Sequence, residues 1–277
     1  MKRVPFGIER LDATIGGGPP AGSVVLVAGE AGAGAREFCY TSAVLCGLAR
    51  EDRDLFELHY GALAPEASLP EAIHYCSFTA DREELCREIG LVIDEEISTT
   101  GLDGVSFHDL SRAYFGSSPV PVEWYADRTG DIESLGAVHS REDVLTTLAD
   151  ELDACAPGSL VAIDSLTDLL ATSEDRTWAD IVLFVRGLTK VATAWKRVVL
   201  LHVNREALSE SQYGLLTDAV SGTMEFAWES GGSSRARAMI VKHFRGVLPR
   251  IEAEDIVRFE TDTGLTGFDI SDVRKIR

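Results

Sequence analysis

Ser23-Val-Val-Leu-Val-Ala-Gly-Glu-Ala-Gly-Ala-Gly-Ala-Arg-Glu-Phe38 is the stretch on which the reading of this chain turns. Its apolar run, Val24 to Ala28, is too short and too rich in β-branched residues for a helix, and predicts a buried strand. Gly29-Glu30-Ala31-Gly32-Ala33-Gly34 follows, and a helical pattern begins at Ala35. Strand, glycine-rich turn and helix N-terminus together make a phosphate cradle, because backbone N–H groups point inward and the helix dipole favours an anion. The spacing of Gly29 and Gly34 fits the P-loop pattern G-x-x-x-x-G-K-[ST]. The next two residues do not fit: Ala35 stands where the pattern has Lys, and Arg36 where it has Ser or Thr. The Lys would reach the β- and γ-phosphates, and the hydroxyl would hold Mg²⁺. A charge-assisted hydrogen bond contributes about 1.5–3 kcal/mol. Its loss weakens binding and bears harder on a transition state, where charge builds up. Arg36 has the length to turn a guanidinium toward the phosphates but cannot replace a metal-bound hydroxyl. The plainer alternative is a glycine-rich strand–helix turn with no ligand.

A second stretch strengthens the first. Ser159-Leu-Val-Ala-Ile-Asp164-Ser165 is an apolar strand ending in Asp, the Walker B pattern in a P-loop protein, where the Asp holds Mg²⁺ through water. Alone it also reads as an ordinary strand end or helix cap. Further strands are expected at Ala72 to Phe78, Val105 to Leu110 and Arg197 to Val203, the last ending in His202-Val-Asn204. There a polar side chain either senses a nucleotide or simply terminates the strand. Helices are expected from Ala35 to Leu48, after a cap at Thr79 or Asp81, from Ser140-Arg-Glu-Asp143 to Ala156, from Thr177 to Trp195, and around Leu215 to Val220. Residues 51–70 read as a polar surface excursion. Residues 112–139 read as a long loop or flap, with Trp124 and Tyr125 packing on their own domain rather than on a partner. Strands near 223–228 and 235–244 form a hairpin around Gly231-Gly232, and a final hairpin at 255–260 and 265–270 turns at Asp262-Thr-Gly264. The end of the chain, 251–277, is then this hairpin and a basic tail, Val273-Arg-Lys-Ile-Arg277. Alternating strands and helices closed by antiparallel strands predict one α/β domain over residues 1–277, a mostly parallel sheet with helices on both faces.

Composition narrows the classes. The 277 residues are 45% apolar, enough for a real core, and their net charge is −19. That charge argues against a large nucleic-acid surface. No stretch approaches the ~18 uninterrupted apolar residues of a membrane span, and Met1-Lys-Arg-Val-Pro-Phe-Gly7 lacks the apolar core of a signal peptide. A cytoplasmic protein is expected. The basic residues are nearly all Arg; the lysines are Lys2, Lys190, Lys196, Lys242 and Lys275. Acidic and Lys-poor, the composition suits a high-salt cytoplasm, with an ordinary acidic protein as the alternative. Cys39, Cys46, Cys76, Cys86 and Cys155 show no C-x-x-C spacing and read as small buried hydrophobes. The histidines do not cluster in sequence either, so no structural metal site is expected.

The chain resembles the RecA superfamily and, within it, the KaiC-like ATPases. The resemblance is carried by Gly7-Ile8, Leu11-Asp12, Gly16-Gly-Gly-Pro-Pro-Ala-Gly22-Ser23, the P-loop frame Gly29 to Gly34, Ile163-Asp164-Ser165 and Arg245-Gly246. The acidic, Lys-poor style with Gly-Ala-Arg-Glu-Phe in the loop is similar to a haloarchaeal subgroup described as signal-transduction-related. The resemblance implies a RecA-like P-loop core, ATP and Mg²⁺ as cofactors, and frequent ring or filament assembly. Carried over residue by residue, it assigns cofactor binding to Gly29, Glu30, Ala31, Gly32, Ala33, Gly34, Ala35, Arg36, Asp164 and Ser165, with Asp164 as the candidate Mg²⁺ ligand. The family's glutamate pair after the second strand is absent at Phe78-Thr79-Ala80, leaving Asp81, Glu83 and Glu84 as candidate catalytic carboxylates nearby. The family's Lys-x-Arg-Gly stands as Lys242-His-Phe-Arg245-Gly246, the Lys displaced by one, which on a regular strand turns it to the opposite face.

Three readings follow. The first is a degenerate module with weak or absent hydrolysis, regulating or scaffolding a protein partner such as an active KaiC- or RecA-like paralogue, or assembling with itself. The second is an active ATPase using Arg36 and Asp164 as substitutes. The third is a recombinase-accessory DNA-binding protein.

Overall fold

Val24–Gly29 is buried along its whole length, and the reason lies in its neighbours. A computed structural model describes residues 2–116, 118–125, 144–155, 157–170, 178–229, 236–253 and 256–275. The described strands are β1 (Val24–Gly29), β2 (Ile73–Ser77), β3 (Val105–Asp109), β4 (Leu160–Asp164), β5 (Val198–Asn204), β6 (Gly222–Glu229), β7 (Ala236–Phe244), β8 (Ile256–Gly264) and β9 (Gly267–Lys275). They form one sheet in the order β3-β2-β4-β5-β1-β6-β7-β8-β9. Pairing is parallel from β3 through β6 and antiparallel from β6 to β9. Central parallel strands are covered on both faces and therefore read as unbroken apolar runs.

The described α-helices are α1 (Glu9–Ile15), α2 (Ala35–Glu51), α3 (Arg53–Tyr60), α4 (Arg82–Gly90), α5 (Glu95–Asp103), α6 (Ser111–Phe115), α7 (Val144–Ala154), α8 (Leu166–Leu169), α9 (Trp178–Trp195), α10 (Glu210–Ala219) and α11 (Leu248–Ala253). None of the described helices is long and apolar enough to cross a membrane. Alternate β1 residues feed two cores. Val25 and Val27 face Phe38, Val44, Ile97 and Phe226. Val24, Leu26 and Ala28 face Leu148, Val185, Leu188 and Leu216. In the first core Phe38, Phe226 and Phe268 pack with their ring centroids 5.5 Å apart. This ties α2 to β6 and to the last hairpin.

Helix α2 is held in place by a glycine crossing. A β-carbon on Gly47 would lie 2.1 Å from the Gly101 carbonyl oxygen, and one on Gly101 would lie 2.5 Å from that of Val44. Only bare backbone fits where α5 crosses α2. Gly101→Val is expected to pry the helices apart and lower stability by about 1–3 kcal/mol in urea unfolding; an unchanged midpoint would contradict the crossing.

The structure corrects several expectations. Residues 51–70 hold helix α3, whose Phe56 and Tyr60 are buried and stacked 4.7 Å apart. Helix α5 had no sequence counterpart. The last turn lies at Leu265-Thr266, with Gly264 paired to Gly267, two residues beyond the expected position. The expected basic tail is strand as far as Lys275, which pairs with Ile256, and Arg274 forms an ion pair with Glu260. Trp124 is 78% exposed, against the expected packing, whereas Tyr125 does pack on its own chain, 5.5 Å from Phe115. The expected cap at Ser140–Asp143, the Gly231-Gly232 turn, most of the flap beyond Tyr125 and the start at Thr177 lie outside the described residues.

Candidate functional site

The carboxyl ends of β1, β4 and β5 meet at one edge, where α/β sheets bind ligands. From Gly29 the chain turns through residues 30–34 into α2. Gly32 and Gly34 have φ of 73° and 108°, a region that favours glycine. A β-carbon on Gly29 would sit 2.4 Å from that of Ala35, so the loop folds back hard against the helix it starts. Gly34 is the N-cap and supplies no side chain, leaving the first-turn N–H groups of α2 without a side-chain cap. The expected strand–loop–helix arrangement is therefore present. Its outer wall comes from β6: the Trp228 backbone N–H donates to Glu30 Oε2 at 3.1 Å, and its indole donates to the Ala31 carbonyl at 3.0 Å. One loop donor is already engaged by an anion, since the Ala31 N–H donates to Glu206 Oε2 at 3.2 Å.

Below the loop lies Asp164, 6% exposed. Its Oδ1 accepts from His202 Nδ1 at 2.8 Å and from Arg36 Nε at 3.2 Å; its Oδ2 accepts from the Tyr75 hydroxyl at 2.8 Å. The Arg36 Nε also lies 3.1 Å from Oδ2. Burial pushes the Asp164 pKa up, but His202, Arg36 and Tyr75 outweigh it and leave the carboxyl below its ordinary value. Burial works against the charge on Arg36 as well; Asp164, Tyr40, Tyr75 and Glu88 prevail and hold the guanidinium more firmly protonated than usual. Arg36 thus points inward, across the wall of a cleft of about 430 Å³ that is also lined by Glu30, Glu37, Tyr40, Glu88 and Asn204.

This arrangement does not fit Mg²⁺. The hydroxyl that would ligate it is absent at Arg36, both Asp164 oxygens are engaged, and the Ser165 hydroxyl donates to Asp168 at 2.8 Å. The cation that meets Asp164 is a side chain of the same protein.

The remaining candidates fall elsewhere. Asp81 and Glu84 cap α4 reciprocally: Asp81 accepts from the Glu84 N–H at 2.8 Å, and Glu84 accepts from that of Asp81 at 3.4 Å. Both line a separate cavity of about 690 Å³ with Asp109, Arg112 and Trp124, and Glu83 is exposed in the first turn of α4. The α4 carboxylate that does reach the loop cleft is Glu88, bonded to the Tyr40 hydroxyl at 2.6 Å. Sequence reading missed it, although Tyr40 lies one helical turn beyond Arg36 and so on the same face of α2. His202 and Asn204 line the loop cleft, and Asn204 also caps the turn that ends β5, its Oδ1 accepting from the Glu206 N–H at 2.9 Å.

The one-residue shift of Lys242 has a different outcome from that expected. Thr223 pairs with His243 and Met224 with Val241, so Lys242 is the extra residue of a β-bulge. Lys242, His243 and Arg245 accordingly line one cavity together, and Lys242 pairs with Glu225 at 3.0 Å. The cysteines are free thiols, four buried and Cys86 partly so, as expected. The histidines, however, do meet: His74 and His108 come together with Cys155, far apart in sequence and joined only by strand register and helix packing.

Solved structures share this fold. The chain superposes on a KaiC-like protein of the hyperthermophilic archaeon Pyrococcus horikoshii with a TM-score of 0.59 at 14% identity, covering 98% of this chain and 99% of that one. With the flagellar accessory protein FlaH of Methanocaldococcus jannaschii the TM-score is 0.56 at 16% identity, covering 95% of each. No protein-family model and no curated protein matches the chain. The fold is therefore RecA-like, with the mostly parallel sheet and antiparallel C-terminal strands that the sequence led one to expect.

Proposed function

We propose that this RecA-like chain is a nucleotide-binding module turned to regulation: it holds ATP weakly or not at all, does not hydrolyse it, and acts by docking on a protein partner in signal transduction. The observation that carries this reading is the Arg36–Asp164 ion pair. It sets the guanidinium against the carboxylate that a P-loop enzyme keeps for Mg²⁺, so each neutralises the other. The surrounding charges agree, since Glu30, Glu37 and Glu88 ring the cleft and repel a polyphosphate. Glu206 occupies a loop N–H that a phosphate would compete for. No carboxylate among Asp81, Glu83 and Glu84 lines the loop cleft to orient a water. The partner is a catalytically competent protein of the same fold or a second copy of this chain, and the acidic, Lys-poor composition supports a high-salt cytoplasm as the setting.

Calorimetry with ATP and Mg²⁺ in molar salt, paired with a phosphate-release assay, tests the proposal. The expected result is weak or undetectable heat and turnover at background. Magnesium-dependent turnover that falls in Arg36→Ala and Asp164→Asn would support an ATPase working through substitutes instead.

A further inference from the structure

On the sheet face opposite the loop cleft, three donor side chains converge from three elements. His74 is the second residue of β2, His108 the fourth of β3, and Cys155 follows the last residue of α7. One ligand atom from each lies within 4.8 Å of the other two. Tyr75, whose hydroxyl meets Asp164, points to the other face, so this cluster shares no side chain with the nucleotide-type site.

We propose that His74, His108 and Cys155 bind a zinc(II) ion that staples the edge strand β3 and its neighbour β2 to the end of α7.

Two ring nitrogens of the cluster already face each other at ligand spacing. His74 Nδ1 and His108 Nε2 face each other at 3.0 Å, while His108 Nδ1 lies 2.7 Å from Glu151 Oε2. With Nδ1–H of His108 donating to the carboxylate, its Nε2 presents a lone pair inward. His74, 8% exposed, has a buried Nε2 with no partner. With the proton on Nδ1, His74 donates to His108 Nε2 and its own Nε2 lone pair has no partner; with the proton on Nε2, two lone pairs face each other across 3.0 Å, the arrangement a cation bridges.

The surrounding shell has the form that metal-binding histidines use, a carboxylate receiving the second ring N–H. Cys155 is held by Arg197, whose buried guanidinium donates to the carbonyls of Leu152 and Cys155 and stacks 4.1 Å above Trp195. Two imidazoles and a thiolate select Zn²⁺ over Mg²⁺ or Ca²⁺. Tetrahedral Zn²⁺ with bonds of about 2.1 Å sets its nitrogens roughly 3.3 Å apart, close to the 3.0 Å between the facing nitrogens. Sulfur at its bond length of about 2.3 Å would lie roughly 3.6 Å from each nitrogen, inside the 4.8 Å within which the three ligand atoms already lie. The fourth position opens on the side where His108 and Glu151 are partly exposed, and water fills it.

The test uses metal-free full-length protein titrated with Co²⁺ as a spectroscopic stand-in, then with Zn²⁺. One equivalent of Co²⁺ should produce a thiolate-to-cobalt charge-transfer band and visible bands of tetrahedral intensity. Cys155→Ser should abolish the charge-transfer band, and Cys86→Ser, the partly exposed thiol, should leave it intact. Should Cys155→Ser fail to fold, His108→Gln reads the same site and should weaken Co²⁺ about tenfold or more. Zn²⁺ should raise the melting temperature of the parent chain and not of these site variants. Absence of the charge-transfer band in folded parent protein, its survival in Cys155→Ser, or unchanged Co²⁺ affinity in His108→Gln would overturn the proposal.

Discussion

Replacing Ala35 by Lys and Arg36 by Thr together should raise Mg²⁺·ATP affinity by roughly 10²–10⁴-fold over the parent chain, on the basis of two restored charge-assisted contacts at about 1.5–3 kcal/mol each. The frame for those contacts is intact, since Gly32 and Gly34 hold their left-handed conformations and α2 starts at Ala35. Ala35 lines the cleft, so a lysine there has space to extend into. Removing Arg36 releases both Asp164 oxygens from the guanidinium, leaving His202 and Tyr75 as partners. Arg36→Thr alone should gain less, because the lysine that meets the β- and γ-phosphates is still missing. Turnover in the double variant should stay low, because Asp81 and Glu84 line a different cavity and Glu88, the α4 carboxylate that does reach the cleft, is engaged by the Tyr40 hydroxyl. Calorimetry on the three proteins decides it. Parent binding as tight as that of the double variant would mean that the internal ion pair blocks nothing.

The second large effect is on stability. Asp12→Ala is expected to cost on the order of 4 kcal/mol or more, since each buried donor left unsatisfied costs about 1–3 kcal/mol. The wholly buried Asp12 carboxylate accepts from the backbone N–H groups of Phe6, Gly7 and Ile8 at 2.9, 3.0 and 3.2 Å, and from the Tyr60 hydroxyl at 3.2 Å. It thereby joins the lead-in segment, α1 and α3. Burial raises its pKa from 3.8 to about 7, against the pull of those donors. The folded chain then keeps a proton that the unfolded chain has lost between those values. Stability must fall as pH rises through that window and level off above it. At about 1.4 kcal/mol per pH unit, the change across the window is on the order of 4 kcal/mol. Urea unfolding between pH 4 and pH 8 should show this slope in the parent and a flatter one in Asp12→Asn. Equal slopes would mean that Asp12 does not hold its proton in the fold.

The elements legible in the sequence were those whose signal is local. Val24 to Ala28, Leu160 to Ile163 and Val198 to Leu201 are apolar enough to be nothing but central strands, and Ile181, Phe184, Leu188 and Val191 keep helical spacing along α9, although only Ile181 and Leu188 of these are buried and Val191 is exposed. Helix α3 gives a weak sequence signal because Phe56 and Tyr60 are its only fully buried residues, with Leu55 partly buried, and charged residues surround them. The basic tail turned into strand because an edge pairing, Ile256 with Lys275, cannot be read from either partner alone. The bulge at Lys242 likewise exists only in register with β6.

By itself, the sequence determined the alternation of strand and helix, the glycine loop between β1 and α2, and the loss of the lysine and hydroxyl that follow it. Tertiary structure alone decided that Arg36 meets Asp164 across 128 residues of chain, that Glu88 rather than Asp81 or Glu84 reaches the cleft, and that His74, His108 and Cys155 share one pocket. The physical reason is range. Hydrophobic periodicity and backbone preference act over a few residues, whereas which charges and ligands face one another depends on strand order, register and the helix crossings that the closed core imposes.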